Sequence, residues 1–306
     1  MKKGGAKKHP LIPVLARKSA LALVSGLIAL NLLFILPHLV PSSPLVVKMA
    51  QLAGAGSTAS VTGAGEATGG TVPEALRQMY MEKFGINDSL EVKYYRFWTR
   101  FFTMDYGYSY WQYPESVMNL VLRSLPWTLA LVIPVIPIGF YLGNFIGSRA
   151  AFKRDKISNF LYIASMLTTR APYYWFAIFL MLVLGVWLGW FPLYGAYSAR
   201  WVRPALRWEW ILDAAHHYVL PFLSLLPLTT GSWAVGMRAT ILYEMESDYV
   251  HYSKQLGFRS SALRKYAKDN SMLPNFTNIP MYFTWLIGET MLVEVVFAYP
   301  GLGTLL

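Results

Sequence analysis

Three ionisable side chains stand inside or against long apolar runs: Arg170, Glu289 and Glu294. A charge in hydrocarbon is costly, so such groups usually face a water-filled cavity or a partner. They can line a path for a polar solute and contact its charged ends. They can also lock a helix bundle through an ion pair or an inter-subunit contact. The residues alone leave both roles open. His216-His217 adjoins another apolar run, but adjacent side chains seldom ligate one metal, and no third ligand is evident. No metal site is expected. The chain has no cysteine, which removes disulfides, Cys-based zinc sites and thiol catalysis. It carries no Gly-x-x-x-x-Gly-Lys-Ser/Thr cradle for ATP phosphates. No convergent set of nucleophile, base and metal ligands stands out, so an enzyme is not expected.

The elements that must position these groups are apolar. The chain is 55% hydrophobic and 14% charged, against about 25% charged for a soluble domain. Mean hydropathy is +0.37. A spanning helix needs about 20 apolar residues, and five stretches qualify or nearly so: 20–40, 126–147, 172–191, 218–237 and 280–298. An apolar lead-in at 157–167 is read as a separate half-helix meeting the third span at Pro172. Lipid offers no partner to free backbone groups, so all of these must be helical. The first stretch is too long for a secretory h-region and no small-x-small cleavage site ends it, so it reads as a retained helix. The fold class is therefore an all-α integral membrane protein, a polytopic helix bundle.

Charge sets the orientation. The net charge of +11 is carried by residues that flank apolar runs. Topology and anionic headgroups explain it more simply than nucleic acid does. Basic residues gather in 1–19 (Lys2, Lys3, Lys7, Lys8, Arg17, Lys18), after the second span (Arg149, Lys153, Arg154, Lys156) and after the fourth (Arg238 to Lys268). Even numbers of spans separate these segments, so all lie on one side, and the N-terminus is expected in the cytoplasm. Arg200, Arg203 and Arg207 are a minority vote against. The outer loop 41–124 begins with a small, polar tether at 53–71. Its later part has aromatic faces at helical spacing and is expected to form short interfacial helices. Trp187, Trp190, Trp201, Trp208 and Trp210 read as an interfacial belt rather than a sugar-stacking platform. Asn87-Asp88-Ser89 forms a short sequon on the outer face; Asn275-Phe276-Thr277 is on the wrong side.

Between the fourth and fifth spans lies a polar segment, 238–279, that reads as two amphipathic helices. One is expected over about 240–256, closed by Gly257, and a second over about 261–270, before Pro274. Here the residues resemble a known family. Arg238, the DYV triplet Asp248-Tyr249-Val250, the helix-ending Gly257 and the stretch from Tyr266 to Pro274 with Asn270 are similar to the cytoplasmic coupling loop of ABC importer permeases of the dipeptide/oligopeptide branch, the binding-protein-dependent transport system inner membrane components. GETMLVEVVFAYPGLG resembles that family's signature through Glu294, Phe297, Pro300, Gly301 and Gly303. FTMDYGYSY, FGINDSLEVKYYRFW and the 169–195 span resemble further motifs in the same order. Departures are the bulky HYSKQL of the coupling helix, Arg170 before Pro172, and the tether.

The resemblance implies a permease domain over 125–306 and a subunit that makes a membrane path for peptides, driven by ATPases docked on 238–279. It implies coupling roles for Asp248, Tyr249, Val250, Ser253, Gly257, Ala267, Asn270 and Pro274. It implies two ATPase subunits, a second homologous permease, an external substrate-binding protein and the lipid bilayer as partners, in the cytoplasmic membrane. ATP and Mg would sit on the ATPases and no cofactor on this chain. Members of the branch also serve oligosaccharides and nickel. A secondary transporter is the alternative from another class, but the repeated half it usually shows is not visible. Family members continue into a sixth span, so one is expected to be missing after Leu306, as in a truncated product.

Overall fold

A computed structural model describes residues 11–39, 74–153, 155–201 and 207–305. The tether 53–71, Lys2, Lys3, Lys7, Lys8, Arg154 and Arg203 lie outside the described residues. Among the described residues the named elements are all helical, with one isolated bridge between Tyr108 and Ser116. The chain divides into two compact units, Met1–Asn119 and Leu120–Leu306.

The first unit contains α1 (Leu11–Leu39), α2 (Glu74–Phe84) and α3 (Leu90–Thr103). Pro13–Leu39 is long and apolar enough to cross a membrane, and none of its most apolar window is buried. Its polar groups turn inward on the helix: Asn31 Nδ2 donates to the Leu27 carbonyl at 2.8 Å. Ser89 starts α3 by accepting from the Val92 amide, and Met104 ends it in the left-handed region, φ 54°. α3 packs on α1 through Phe34, whose ring lies 5.2 Å from Tyr94 and 5.4 Å from Phe97. The Tyr94 hydroxyl donates to Asn31 Oδ1 at 2.8 Å.

The second unit is built on α4 (Val117–Phe152), α5 (Lys156–Thr168), α6 (Tyr173–Leu180, continuing as the π-helical segment Met181–Trp187) and α7 (Trp208–Met245). It continues with α8 (Asp248–Gln255), α9 (Ser260–Thr277) and α10 (Ile279–Val296), and ends in a 3-10 turn, Leu302–Leu305. With α1, helices α4, α7 and α10 are four candidate spans; α5 and α6, bent by 107°, make a fifth if taken as one broken span. The core joins Leu131, Val132 and Val135 of α4 to Leu220 and Leu225 of α7 and Leu286 and Val293 of α10. Small residues bring backbones together, as hydrocarbon offers no other strong drive. A Cβ on Gly143 would lie 2.5 Å from the Thr230 carbonyl oxygen of α7, and one on Gly231 would lie 2.5 Å from the Ser165 carbonyl oxygen of α5.

Element bounds differ from the sequence reading in instructive ways. Helices α4 and α7 extend well beyond the apolar stretches 126–147 and 218–237, because a helix need not stop where hydrocarbon does. The third span leaves α-geometry at Met181 and ends at Trp187, short of 191, with Gly189 at φ +63° just beyond. The single helix expected over 240–256 is two: α7 runs to Met245, and Ser247, extended at ψ 151°, starts α8. The second loop helix does not stop before Pro274 but runs through it to Thr277.

Candidate functional site: the loop between the last two spans and the carboxylates beside it

The break at Ser247 swings α8 away from α7. The Ser247 hydroxyl donates to the Glu244 carbonyl at 2.6 Å. Asp248 sits in the first turn of α8, where a carboxylate favours the helix dipole. Val250 is buried, 3% exposed, and anchors α8 inward. Tyr249 ties three elements: its hydroxyl donates to Glu244 Oε2 at 2.7 Å and accepts from Asn270 Nδ2 at 3.0 Å. Burial first, and then the Glu244 bond, push the Tyr249 phenol above its ordinary range. It therefore stays a donor. Two residues flagged 21 positions apart in sequence thus meet through one hydrogen bond.

At the end of α8 the Phe258 amide donates to the Ser253 carbonyl, and Gly257 takes φ +81°. Glycine adopts this conformation without Cβ strain. A Cβ there would meet nothing within 4 Å. The outer side of this segment carries Tyr252, Leu256 and Phe258, 63%, 59% and 48% exposed. Large apolar side chains grouped on a polar loop mark a contact surface.

α9 lays one face on the spans. Leu263, Ala267, Ser271 and Asn275, spaced four apart, are buried, while Pro274 is exposed. Asn275 Nδ2 donates to Asn144 Oδ1 of α4 at 2.9 Å and lies 3.3 Å from Met237 Sδ of α7. Asn144 in turn donates to the Phe140 carbonyl. Sequence reading did not place this pair. The signals were a lone amide in the apolar run of α4 and the four-residue spacing along α9. Arg238 stacks its guanidinium 4.5 Å from the Tyr162 ring of α5. At the neighbouring α4–α5 turn, Arg149 Nε donates to Ser158 Oγ at 2.9 Å, and Ser158 and Asp155 are bonded directly.

The structure does not bring Arg170, Glu289 and Glu294 together. Arg170 is exposed in the turn before α6 and makes no ion pair among the described residues. Glu289 is half-buried. Glu294 is fully buried, and the signature residues close over it. Gly303 donates its amide to Glu294 Oε2 at 2.6 Å, and Tyr299 donates its amide to the Glu294 carbonyl at 2.8 Å. A Cβ on Gly301 would overlap the Glu294 carboxyl group, and one on Gly303 would overlap the Met291 backbone. Thr128 Oγ1 of α4 accepts from the Leu302 amide at 2.9 Å. Phe297 is buried, and its carbonyl accepts from Gly195. Pro300 thus opens a turn that folds back on α10. This carboxylate holds backbone in place and does not face open space. His216 and His217 address different carbonyls, of Trp190 and Asp213, and no group of three potential metal ligands occurs among the described residues.

The family described as the binding-protein-dependent transport system inner membrane component matches residues 136–306. The oligopeptide transport system permease protein AppB of Bacillus subtilis is 29% identical over 237 residues, 76% of this chain and 73% of that protein. The glutathione transport system permease protein GsiC of Pectobacterium atrosepticum is 28% identical over 285 residues, 92% of this chain and 80% of its own. The oligopeptide transport system permease protein OppB of Haemophilus influenzae is 26% identical over 225 residues, 73% and 69%. The matched region takes in the C-terminal part of α4 and every element after it, including the loop, the buried Glu294 and the glycine turn, and the chain belongs to this family of multi-pass ABC importer permeases.

Proposed function

We propose that this chain is the permease subunit of an importer that carries peptides across the cytoplasmic membrane, with its N-terminus in the cytoplasm. The observation that carries the reading is α8: a short helix braced from within by Val250 and Tyr249, with Tyr252, Leu256 and Phe258 bare on its outer side. Two ATPase subunits are the expected occupants of that surface and its copy on a second permease. ATP and Mg bind on those ATPases, and this chain performs no catalysis and holds no cofactor. Closure of the ATPases would pull α8, and the Tyr249 and Asn275 bonds would pass the pull to α7, α9 and α4. The path then alternates between outward and inward access. Basic clusters on the same side as the loop support the orientation. The relatives named above are oligopeptide and glutathione permeases, which favours peptides over oligosaccharides or nickel.

Affinity purification of the chain in mild detergent, followed by mass spectrometry, tests the assembly. Two P-loop ATPases and a second permease should remain bound; reproducible recovery of the chain without any ATPase would refute it. Within that assembly Gly257→Val keeps its space but strains the backbone at φ +81° by about 1–3 kcal/mol. The variant should fold yet lose substrate-stimulated ATP hydrolysis. Normal stimulation would remove Gly257 from the coupling path.

A further inference from the structure

The first unit holds a cavity of about 720 Å³ between the C-terminal part of α1 and α3. One wall is apolar, formed by Leu30, Leu33 and Phe34. The other sets three cations among aromatic side chains such as Phe97 and Phe101. Lys93, Arg96 and Arg100 fall at positions i, i+3 and i+7 of α3 and so share one face. Their charges are poorly matched. Arg96 pairs with Asp88 at 2.7 Å. Lys93 Nζ donates to the neutral Ile86 carbonyl at 2.6 Å, and Arg100 makes no ion pair among the described residues. The Tyr94–Asn31 bond holds the two walls in register.

The position of the cavity narrows its occupant. Leu30 and His38, both lining it, are eight residues apart on a helix that qualifies as a span, a rise of about 12 Å. The cavity thus runs along the last part of that span, from hydrocarbon depth toward the headgroups. Its volume lies within the range of small-molecule sites, about 300–1,000 Å³. A soluble anion would leave the apolar wall wet. A neutral lipid would leave Lys93 and Arg100 without counter-charge.

We propose that this cavity binds an anionic phospholipid, with its phosphate between Lys93 and Arg100 and an acyl chain along Leu30 and Leu33. The site is built from residues of the first unit alone. It requires only that α1 lie in the bilayer. Native mass spectrometry of the full chain from detergent tests it, with phosphatidylglycerol and phosphatidylcholine of identical chains as probes. Each cation near a membrane surface favours anionic lipid about fivefold, so the two together predict a preference of about 25-fold. Lys93→Gln/Arg100→Gln should abolish the preference. Leu33→Trp, which fills the apolar end with the charges intact, should lower retention of phosphatidylglycerol as well. Equal retention of the two lipids by the wild-type chain would overturn the proposal. So would equally tight binding of soluble glycerol phosphate, or photo-crosslinking from the cavity wall to residues 41–72 of the same chain. If the double variant fails to fold, the wild-type preference and Leu33→Trp decide.

Discussion

The Asn144–Asn275 bond ties the loop helix α9 directly to the span α4, and a double-mutant cycle measures what it is worth. Both side chains are buried, 4% and 5% exposed, and the donor–acceptor distance is 2.9 Å. Asn275→Ala leaves Asn144 Oδ1 without its donor, which costs about 1–3 kcal/mol in a buried site. Asn144→Ala removes the acceptor and also its bond to the Phe140 carbonyl, so a similar loss is expected. The double variant has no stranded partner. Its loss should fall short of the summed singles by the coupling energy, about 0.6 kcal/mol on average for bonds between membrane helices and up to about 1.7. Unfolding of the purified chain in mixed micelles with increasing denaturing detergent gives the three differences. Additivity within about 0.3 kcal/mol would refute the claim that this bond joins loop to span. The same variants carry a functional readout: if the pull on α9 reaches α4 here, substrate-stimulated ATP hydrolysis by the assembled complex falls before basal hydrolysis does.

Gly143→Leu should part α4 from α7, because its Cβ alone would lie 2.5 Å from the Thr230 carbonyl and 3.0 Å from the Ala234 amide; a loss of about 1–3 kcal/mol or more is expected in the same unfolding assay. Glu294→Ala strands the Gly303 amide while Glu294→Gln keeps an acceptor, so limited proteolysis after Phe297 should accelerate in the first variant only. The Ser158 bond, and then Arg149, hold the Asp155 carboxyl below its ordinary 3.8. A lowered folded value gives stability that is present above the unfolded value and lost as pH falls through the folded one. The unfolding midpoints of the wild-type chain and Asp155→Asn should therefore converge in acid below about pH 4. A gap unchanged with pH would refute that account.

How much of this was legible in the sequence depends on how far apart the partners lie. Of the five apolar stretches, four lie in helices long and apolar enough to span, and the third lies in one half of a bent pair, since every spanning helix must present apolar residues to lipid. Hydropathy could not locate the helix ends. In α7 the polar flanks carrying Glu209, Asp213, Arg238 and Glu244 remain helical because backbone bonding continues past the hydrocarbon. The break at Ser247 had only a weak local signal, an N-cap serine followed by Asp248. No glycine or proline interrupts TILYEMESDYV, and intrinsic propensity favours one helix. What breaks it is tertiary: Val250 is drawn into the unit, and Tyr249 is held between Glu244 and Asn270. Pro274 fails to stop α9 for a related reason, since Ala267, Ser271 and Asn275 bury one continuous face on either side of it.

The glycine turn after the last span shows the opposite case. Gly301 and Gly303 were singled out as residue types, and the structure supplies their reason in steric terms. One must let the chain pass the Glu294 carboxyl group and the other must pass the Met291 backbone, and any side chain would hold the turn off α10. One oxygen of the buried Glu294 carboxyl group is bonded by a backbone N–H, and that close approach requires glycine. Acid and glycines therefore act as one device. A change at Gly301 that keeps Glu294 should disturb the turn as much as losing Glu294 itself, because each side chain's place exists only while the other leaves room for it.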